Sequence, residues 1–382
     1  MFNNLSAALQ ETSITYPILD SSLPFAEYIA RCRDIIMTQR LDLEKKNPNP
    51  ELIIEANSPF EFRPAHPHKI KYGALLIHGL LDCPFSLRDI GLRLQSQGIL
   101  SRAILLPGHG TRPSDLLHVS YHDWLQAVRY GVESMRQEVD YLYLIGYSTG
   151  AALSVYQAMQ DTSIAGMILL SPAIRIKTPV HIVVGWHYLV KWITKNNEPW
   201  IYNKEEIDYT KYKSIAFNPV NQVNKLTQVL YELGQHRHLN TPMLMIVSRE
   251  DETISSHRAL NFFSGFATPD SQLLLYTSLE HRYPDPRILT RLSRYPDLHI
   301  NHLSHMSIPF APTNAHYGQQ GDYPRASRPA DHICYGAYNV IEENTYRMLR
   351  GMKAVKFLRQ ELTYNPDFDF MAEKITAFIL GA

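Results

Sequence analysis

The sequence of 382 residues has few cysteines and no excess of either charge. Its three cysteines, Cys32, Cys83 and Cys334, are odd in number and far apart, so a reducing compartment is favoured over a disulfide framework. Lysine plus arginine and aspartate plus glutamate each total 37, which gives a net charge of zero. This balance removes any global electrostatic argument for binding to nucleic acid or to an anionic membrane.

The chain also lacks the segments that mark export or membrane insertion. Residues 1–5 have no basic stretch leading into an apolar core, so no secretory signal is predicted. No window approaches the roughly 18 apolar residues that a membrane-spanning helix needs. We therefore expect a cytoplasmic protein without a transmembrane segment, and the content of 45% hydrophobic and 19% charged residues is typical of a folded globular chain.

Signatures of cofactor and metal sites are missing as well. The segment 108–110 lacks the third glycine and the acidic residue of a dinucleotide site, and no P-loop is present. The series His299, His302 and His305 matches no common pattern of zinc ligands. No cofactor and no metal are therefore predicted.

Short apolar runs alternate with stretches of helical spacing through the middle of the chain. Nearly continuous apolar runs are typical of strands that are buried on both faces of a parallel sheet. The predicted strands are residues 71–77, 101–106, 141–145, 164–170, 243–247 and 272–276. Helices are predicted between them, and also at about 24–43 and 368–380. This alternation predicts an α/β fold with a doubly wound, mostly parallel sheet.

Three segments interrupt the alternation. Residues 1–69 are predicted to form an N-terminal extension, and residues 173–240 a cap inserted into a catalytic domain of residues 70–172 and 241–382. Within that domain, residues 307–365 form an unusual insertion that is rich in proline, tyrosine and glycine. Long insertions in compact domains are usually lids or binding loops.

The most informative motif is G-x-S-x-G at residues 146–150. An apolar run precedes it and an alanine-rich, helix-compatible run follows it. A sharp turn from strand to helix lifts the serine oxygen clear of the sheet, and small residues on both sides allow this bend. Ser148 is therefore the predicted nucleophile, and Gly146 and Gly150 are predicted to shape the turn.

A serine hydroxyl becomes a good nucleophile when a histidine takes its proton and a carboxylate orients that histidine. On this kind of sheet the chain order is serine, acid, histidine. Asp251, directly after a predicted strand, is the expected acid, with Glu250 and Glu252 on the same loop as rivals. His305, among small and apolar residues, is the expected base. Its rival is His281, whose charged and proline-containing surroundings favour a surface loop.

An oxyanion formed during acyl transfer needs backbone N–H donors. One is expected from Thr149, the residue after the nucleophile, and the other from the loop that follows the first strand of the sheet. Leu80 is the candidate in that loop, and His78 and Gly79 are expected to shape it.

Four segments together resemble a known family. Residues 73–79 are similar to the L-L-x-H-G opening of α/β-hydrolase carboxylesterases and monoacylglycerol lipases, the group also called serine aminopeptidase-like. The other matching segments are P-G-H-G at 107–110, the elbow at 146–150 and a D-x-x-V-like stretch at 251–254. The resemblance is strong over 70–172 and good over 241–265.

The resemblance implies the doubly wound hydrolase fold with a cap. It also implies Ser148 as nucleophile, Asp251 as acid, and Leu80 and Thr149 as oxyanion donors. The chain departs from the family around the histidine, because a compact member would place the base soon after the strand at 272–276. Here roughly one extra loop intervenes before His305.

The predicted function is hydrolysis of a small-molecule carboxylic ester, with a small to medium acyl chain, through an acyl-enzyme. The apolar and aromatic run at 180–193 could cover the acyl chain or could simply pack the cap onto the body. Acyl transfer and peptide or amide hydrolysis would use the same triad, and a non-catalytic binding module is the remaining alternative. A peptidase would need acids on the cap to hold the substrate amine, although these are equally interpreted as a solvated helix face; the candidates are Glu198, Glu205, Glu206 and Asp208.

Overall fold

The computed structural model describes residues 16–17, 20, 22–40, 49–65, 70–174, 199–323, 333–336 and 358–381. Within these residues eight strands form one sheet: β1 (Phe60–Phe62), β2 (Ile70–Ile77), β3 (Leu100–Ile104), β4 (Val139–Tyr147), β5 (Ile164–Leu170), β8 (Met243–Ser248), β9 (Gln272–Thr277) and β10 (Ile288–Leu292). Their order across the sheet is β1-β3-β2-β4-β5-β8-β9-β10. Within this sheet, the pairing of β1 with β3 is antiparallel and all the others are parallel.

Helices cover both faces of this sheet. They are α1 (Phe25–Gln39), α2 (Pro50–Asn57), α3 (Arg88–Ser96), α4 (Tyr121–Arg136), α5 (Thr149–Gln160), α6 (Phe217–His236), α7 (Ser256–Phe266) and α8 (Phe368–Leu380). Two small ribbons lie outside the main sheet: β6 (Trp200–Tyr202) pairs with β7 (Ile215–Ala216), and β11 (Ile333–Gly336) pairs with β12 (Leu358–Glu361). No helix among the described residues is both long and apolar enough to cross a membrane.

Burial on both sheet faces explains the continuous apolar runs. Along β2, Leu75 and Ile77 belong to one hydrophobic cluster, whereas Leu76 belongs to the cluster on the opposite face. Successive side chains of a strand point to opposite faces, so a strand covered on both sides has to be apolar throughout. The prediction of a doubly wound, mostly parallel α/β sheet is confirmed.

Most predicted elements are present, with changes at their ends. The strand predicted at 101–106 ends at Ile104, because the backbone of Leu105 forms hydrogen bonds with the Tyr28 side chain instead of with a neighbouring strand. The Leu105 N–H donates to the Tyr28 hydroxyl at 3.1 Å, and that hydroxyl donates to the Leu105 carbonyl at 3.2 Å. The helix predicted at 24–43 ends at Gln39. The sequence pattern missed β1, whose three residues are too few to establish a period, and β10, whose sequence Ile-Leu-Thr-Arg-Leu does not alternate apolar and polar side chains.

Residues before β2 pack closely against the catalytic body. Tyr28 and Ile36 of α1 are fully buried. Arg40, just after α1, donates hydrogen bonds to the Gly110 carbonyl at 3.3 Å and to the Tyr209 carbonyl at 3.1 Å. This N-terminal part therefore supports one loop of the body and one segment of the predicted cap, and the boundary at residue 69 stays a prediction.

The predicted cap and the predicted insertion are described in part. The aromatic run at 180–193 and Glu198 lie outside the described residues, whereas residues 199–240 supply the β6–β7 ribbon and α6. Of the insertion, residues 307–323, 333–336 and 358–365 are described, and the side chains of Phe310 and Tyr317 in it are completely buried. The Tyr317 hydroxyl donates a hydrogen bond to Asp208 at 2.6 Å, so the insertion and the cap are joined to each other.

Candidate active site

The G-x-S-x-G motif forms a tight turn between β4 and α5. Ser148 has φ 54° and ψ −112°, which is a strained conformation for a residue with a side chain. A Cβ on Gly146 would lie 2.3 Å from the Gly150 carbonyl oxygen, and one on Gly150 would lie 1.9 Å from that of Ile77. Both positions thus require glycine, as the motif predicts. The turn is held by the Ser148 N–H, which donates to the Leu170 carbonyl at 2.9 Å.

The structure brings Ser148, His305 and Asp251 into one hydrogen-bonded chain. Nε2 of His305 lies 3.1 Å from the Ser148 hydroxyl, and Nδ1 lies 2.8 Å from Oδ2 of Asp251. The other Asp251 oxygen accepts the N–H groups of Thr253 and Ile254, each at 2.8 Å. Since an ionised carboxylate only accepts, Nδ1 carries the proton and Nε2 is left to accept from the serine.

Burial and the adjacent carboxylate act on the His305 ring in opposite directions. Burial disfavours the imidazolium, but the Asp251 carboxylate outweighs it and raises the pKa of His305 above its ordinary value. The Asp251 side chain itself is fully shielded from solvent. An imidazole stabilised in its charged form in this way is suited to take a proton from the serine hydroxyl.

The rival residues occupy other positions. His281 is exposed and meets the Tyr283 ring edge-on. Glu250 accepts hydrogen bonds from the backbone N–H of Ser278 at 2.9 Å and from its hydroxyl at 2.7 Å. Glu252 accepts the backbone N–H of His305 at 3.1 Å. Each rival acid therefore holds a neighbouring loop, and Asp251 alone among the three contacts the His305 ring.

The late position of His305 in the chain follows from the extra strand β10. Residues 278–303 leave the sheet after β9, return as β10 and then lead to the histidine. Two serines fix this return: the Ser248 hydroxyl donates to the Leu303 carbonyl at 2.9 Å, and the Ser304 hydroxyl donates to the Leu362 carbonyl at 2.6 Å. The extra loop therefore ends beside the elbow.

The loop at 78–80 lies directly beside the elbow. A Cβ on Gly79 would lie 3.3 Å from Cβ of Ser148, so the loop backbone passes next to the serine. Thr149 is the first residue of α5, and the first N–H groups of a helix have no acceptor within the helix. The N–H groups of Leu80 and Thr149 remain the predicted oxyanion donors.

His78 fixes the peptide that carries the Leu80 N–H. Its Nε2 accepts the Leu106 N–H at 3.0 Å, so Nδ1 is protonated and donates to the Gly79 carbonyl at 2.8 Å. The Gly79 carbonyl and the Leu80 N–H belong to the same planar peptide and point in opposite directions. Burial, together with the nearby His109, holds the pKa of His78 well below its ordinary value, which keeps this ring neutral.

Two of the four cap acids considered for a substrate amine are engaged within the protein. Glu206 accepts the backbone N–H groups of Lys213 at 2.7 Å and Ser214 at 2.9 Å. Asp208 is buried and accepts from the Tyr317 hydroxyl and from Nε2 of His316. Neither interpretation made from the sequence, an amine site or a solvated helix face, describes Asp208.

The three spaced histidines do not converge on one point. His299 is exposed in a left-handed turn, whereas His305 belongs to the hydrogen-bonded chain described above. In the part of the chain that the structure describes, no three His, Cys, Asp or Glu side chains are arranged to hold a metal ion.

Comparison with known proteins assigns the chain to a family. The model of the family described as serine aminopeptidase, S33, matches residues 69–284, which is more than half of the chain. The chain belongs to this family of α/β-hydrolases. It is 23% identical to the thermostable monoacylglycerol lipase of Bacillus sp. (strain H-257) over 226 residues, which are 57% of this chain and 88% of the lipase.

Two solved structures of the family's fold are also similar. One, from the metagenome-derived lipolytic enzymes LipS and LipT, has a TM-score of 0.49 and 21% identity and covers 59% of this chain and 88% of its own. The other, the monoacylglycerol lipase of Paleococcus ferrophilus, has a TM-score of 0.46 and 18% identity and covers 60% of this chain and 91% of its own. The family match ends at residue 284 and therefore includes His281 but not His305.

Proposed function

We propose that this chain is a serine hydrolase that cleaves carboxylic esters of small to medium acyl chain length through an acyl-enzyme. The observation that carries the proposal is the hydrogen-bonded chain from Asp251 through His305 to Ser148, with distances of 2.8 and 3.1 Å. Both distances lie in the range over which a base can accept a proton from a nucleophile.

In the acylation half-reaction, the Ser148 oxygen attacks the ester carbonyl while its proton passes to Nε2 of His305. The carbonyl oxygen becomes an oxyanion that accepts hydrogen bonds from the N–H groups of Leu80 and Thr149. The tetrahedral intermediate then expels the alcohol, whose oxygen accepts from His305 the proton that Ser148 had given up. Asp251 keeps the imidazole in the required tautomer and stabilises the imidazolium.

In the deacylation half-reaction, His305 takes a proton from water as the water oxygen attacks the acyl-enzyme carbonyl. The second tetrahedral intermediate releases the carboxylic acid, and the Ser148 oxygen recovers its proton from His305. The serine and the histidine therefore return to their starting states after one ester has been hydrolysed.

Ester substrates are favoured over amides by two observations. The similarity to a monoacylglycerol lipase extends over 88% of that enzyme. In addition, Glu206 and Asp208, two of the acids considered for holding a substrate amine, are engaged with protein groups. Peptide or amide hydrolysis remains the second candidate because the matched family is described as a serine aminopeptidase family. Acyl transfer to an alcohol would use the same residues.

The test compares wild type with Ser148→Ala on p-nitrophenyl butyrate and on an aminoacyl naphthylamide. We expect ester turnover that falls by about 10⁴-fold or more in the variant. A fluorophosphonate should add its phosphonyl group to wild type alone, as read by intact-protein mass. Ser163→Ala, which removes an exposed serine hydroxyl, is the matched control and should retain both properties. Undiminished ester turnover by Ser148→Ala would refute the proposal.

Faster turnover of the naphthylamide than of the ester would select the peptidase alternative. Turnover in the presence of a short alcohol distinguishes acyl transfer from hydrolysis. An acyltransferase would form the transesterified product in preference to the free acid.

A further inference from the structure

The cap base, by which we mean residues 199–216 of the predicted cap, includes a segment that contacts the oxyanion loop, residues 78–82 after β2. We call residues 208–213 the strap. The backbone N–H of Tyr212 donates to the Leu81 carbonyl at 2.8 Å, and Nζ of Lys211 lies 3.4 Å from Oδ2 of Asp82. Leu81 and Asp82 directly follow Leu80, the predicted oxyanion donor. Two contacts, one from the backbone and one ionic, thus connect the strap to this loop.

The loop needs such support because its backbone is strained. Leu81 has φ 63°, in the left-handed region that residues with side chains rarely adopt. A conformation of this kind is unfavourable for a residue with a side chain and persists only where the surrounding structure imposes it. On the other side of Leu80, the Gly79 carbonyl is held by His78 at 2.8 Å. The peptide N–H of Leu80 is therefore held between two anchored groups.

The strap is fixed on its far side as well. The Tyr209 carbonyl accepts hydrogen bonds from Asn57 at 2.7 Å and from Arg40 at 3.1 Å. The Tyr212 hydroxyl accepts the Thr111 N–H at 2.7 Å and donates to the Gly108 carbonyl at 3.3 Å. The strap can therefore act as a rigid support for the oxyanion loop.

The Lys211 ammonium is a shielded charge close to the ring of Tyr147, the residue that precedes the nucleophile. Its side chain is 17% exposed, and that of Asp82 is 1% exposed. Nζ lies 5.8 Å from the centre of the Tyr147 ring, and Tyr147 is adjacent to Ser148. The cation also acts at the base, because it opposes the rise that Asp251 causes in the pKa of His305. A positive charge in this position would favour a transition state that carries an oxyanion.

We propose that Lys211 is a positioning residue for the oxyanion hole, which it supports by holding the Leu80–Asp82 loop through Asp82 and by adding a positive charge beside the developing oxyanion. This inference rests on the proposed ester hydrolysis and goes beyond it, since it assigns a cap residue to the chemical step. It makes the cap base part of the machinery that stabilises the transition state, in addition to any role in covering substrate.

The first test separates binding from chemistry. Because the contribution of Lys211 would be made mainly in the transition state, Lys211→Met should lower kcat by about 10- to 100-fold and leave KM within about twofold. Lys204→Met is the matched control, since Lys204 is an exposed lysine of the same cap base whose Nζ lies over the Tyr202 ring. Its kcat should equal that of wild type.

The second test uses the acid limb of the kcat/KM profile, which reports the pKa of the free-enzyme base. The groups that face His305 are Asp251 and Glu252 after β8, Tyr147 and Ser148 at the elbow, and Lys211 on the strap. Loss of the Lys211 cation should move this limb to higher pH. Lys211→Arg, which keeps the charge, should return it to its wild-type position. If Lys211 had a purely structural role, the acid limb would not depend on whether residue 211 carries a positive charge.

The third test changes the partner of Lys211. Asp82→Asn leaves the Lys211 charge without its counter-ion, so the acid limb should move to lower pH while kcat falls. Lys211→Met leaves a buried carboxylate unpaired, which is expected to lower stability. The double variant, which combines Lys211→Met with Asp82→Asn, removes both charges and should be more stable than Lys211→Met. Its kcat should stay as low as that of Lys211→Met, while its acid limb should lie close to the wild-type position.

The outcomes are distinguishable. If folded Lys211→Met keeps the kcat and the acid limb of wild type, the inference is overturned. Where Lys211→Met does not fold, the same result in the double variant of Lys211 and Asp82 overturns it. Acid limbs that move in the same direction in Lys211→Met and Asp82→Asn overturn its electrostatic part. Failure of the proposed function would instead appear in wild type itself, as an absence of ester turnover and of fluorophosphonate labelling.

Discussion

The carboxylate of Glu252 accepts the backbone N–H of His305 at 3.1 Å, while the neighbouring Asp251 accepts from the His305 ring. Two consecutive acids thus hold the same histidine, one by its main chain and one by its side chain. Burial, followed by repulsion from Asp251, raises the pKa of Glu252 to about 7. This carboxyl therefore changes its charge near neutral pH beside the proposed base.

The first prediction concerns the effect of Glu252 on stability. Its folded pKa of about 7 exceeds the ordinary value of 4.5, so the folded chain binds this proton more tightly than the unfolded chain does. The stabilising contribution is full below pH 4.5 and is lost as the pH rises through about 7. Glu252→Gln has no charge but can still accept the N–H of His305. Its free energy of unfolding should exceed that of wild type by about 1–3 kcal/mol at pH 8.

Urea unfolding of wild type and Glu252→Gln at pH 5 and pH 8 measures this difference, which should shrink at the lower pH. Glu250→Gln removes the same charge two residues away and is the control. Because Glu252 also helps to raise the pKa of His305, its replacement should move the acid limb of kcat/KM to lower pH. Equal stability of Glu252→Gln and wild type at pH 8 would contradict the prediction.

The second prediction distinguishes the two candidate bases. His305→Ala should lower kcat/KM by about 10³-fold or more, since the serine would lose its proton acceptor. His281→Ala removes an exposed ring that packs on Tyr283 and should change kcat/KM by less than about twofold. Ester kinetics at pH 8, with circular dichroism to confirm folding, measure both effects. A larger loss in His281→Ala than in His305→Ala would reverse the assignment.

The sequence alone could predict the sheet and the elbow because each depends on local pattern. Continuous apolar runs require strands buried on both faces, and the glycines of the motif allow the turn around Ser148. The sequence also favoured Asp251 as the acid, through its place after a predicted strand and the D-x-x-V-like stretch at 251–254. Local pattern left Glu250 and Glu252 as rivals, because a run of three adjacent acids does not encode the orientation of each side chain.

The remaining parts of the site depend on contacts between distant segments. Lys211 and Asp82 are 129 residues apart in sequence but form an ion pair, and Lys211 belongs to no motif. The link between Tyr317 and Asp208 likewise joins two segments that the sequence could describe only as insertions. His305 could be named from its surroundings, yet its distance from Ser148 depends on the path of β10, which the pattern missed.

The third prediction tests the close packing at the elbow. A methyl group on Gly150 would lie 1.9 Å from the Ile77 carbonyl oxygen, so β2 and α5 would have to separate. Gly150→Ala should therefore lower the free energy of unfolding by about 3 kcal/mol or more, or prevent folding. Gly265→Ala is the matched control, because no atom lies within 4 Å of its added methyl and its helix should gain up to about 1 kcal/mol. Thermal unfolding measures both, and a Gly150→Ala protein as stable as wild type would contradict the packing.

The last prediction concerns the buried cluster that joins the cap base to the insertion. Asp208 contacts His316 at 3.2 Å, Tyr317 at 2.6 Å and Lys213 at 3.4 Å. Burial opposes its ionisation, but the contacts with His316 and Lys213 prevail and lower the pKa of Asp208 below its ordinary value of 3.8. Replacing one partner of a buried ion pair typically costs about 3–5 kcal/mol, and we expect a loss of this order for Asp208→Asn at pH 7.

The pH dependence of this loss follows from the sign of the shift. A depressed folded pKa gives stability that is complete above pH 3.8 and is lost as the pH falls through the folded value. The gap between wild type and Asp208→Asn should therefore be widest at neutral pH and narrow at pH 3 and below. Asp270→Asn, which removes an exposed carboxylate, is the control and should match wild type at both pH values. Urea unfolding at pH 7 and pH 3 measures the gap, and a gap of equal size at both would show that the charge of Asp208 does not stabilise the junction.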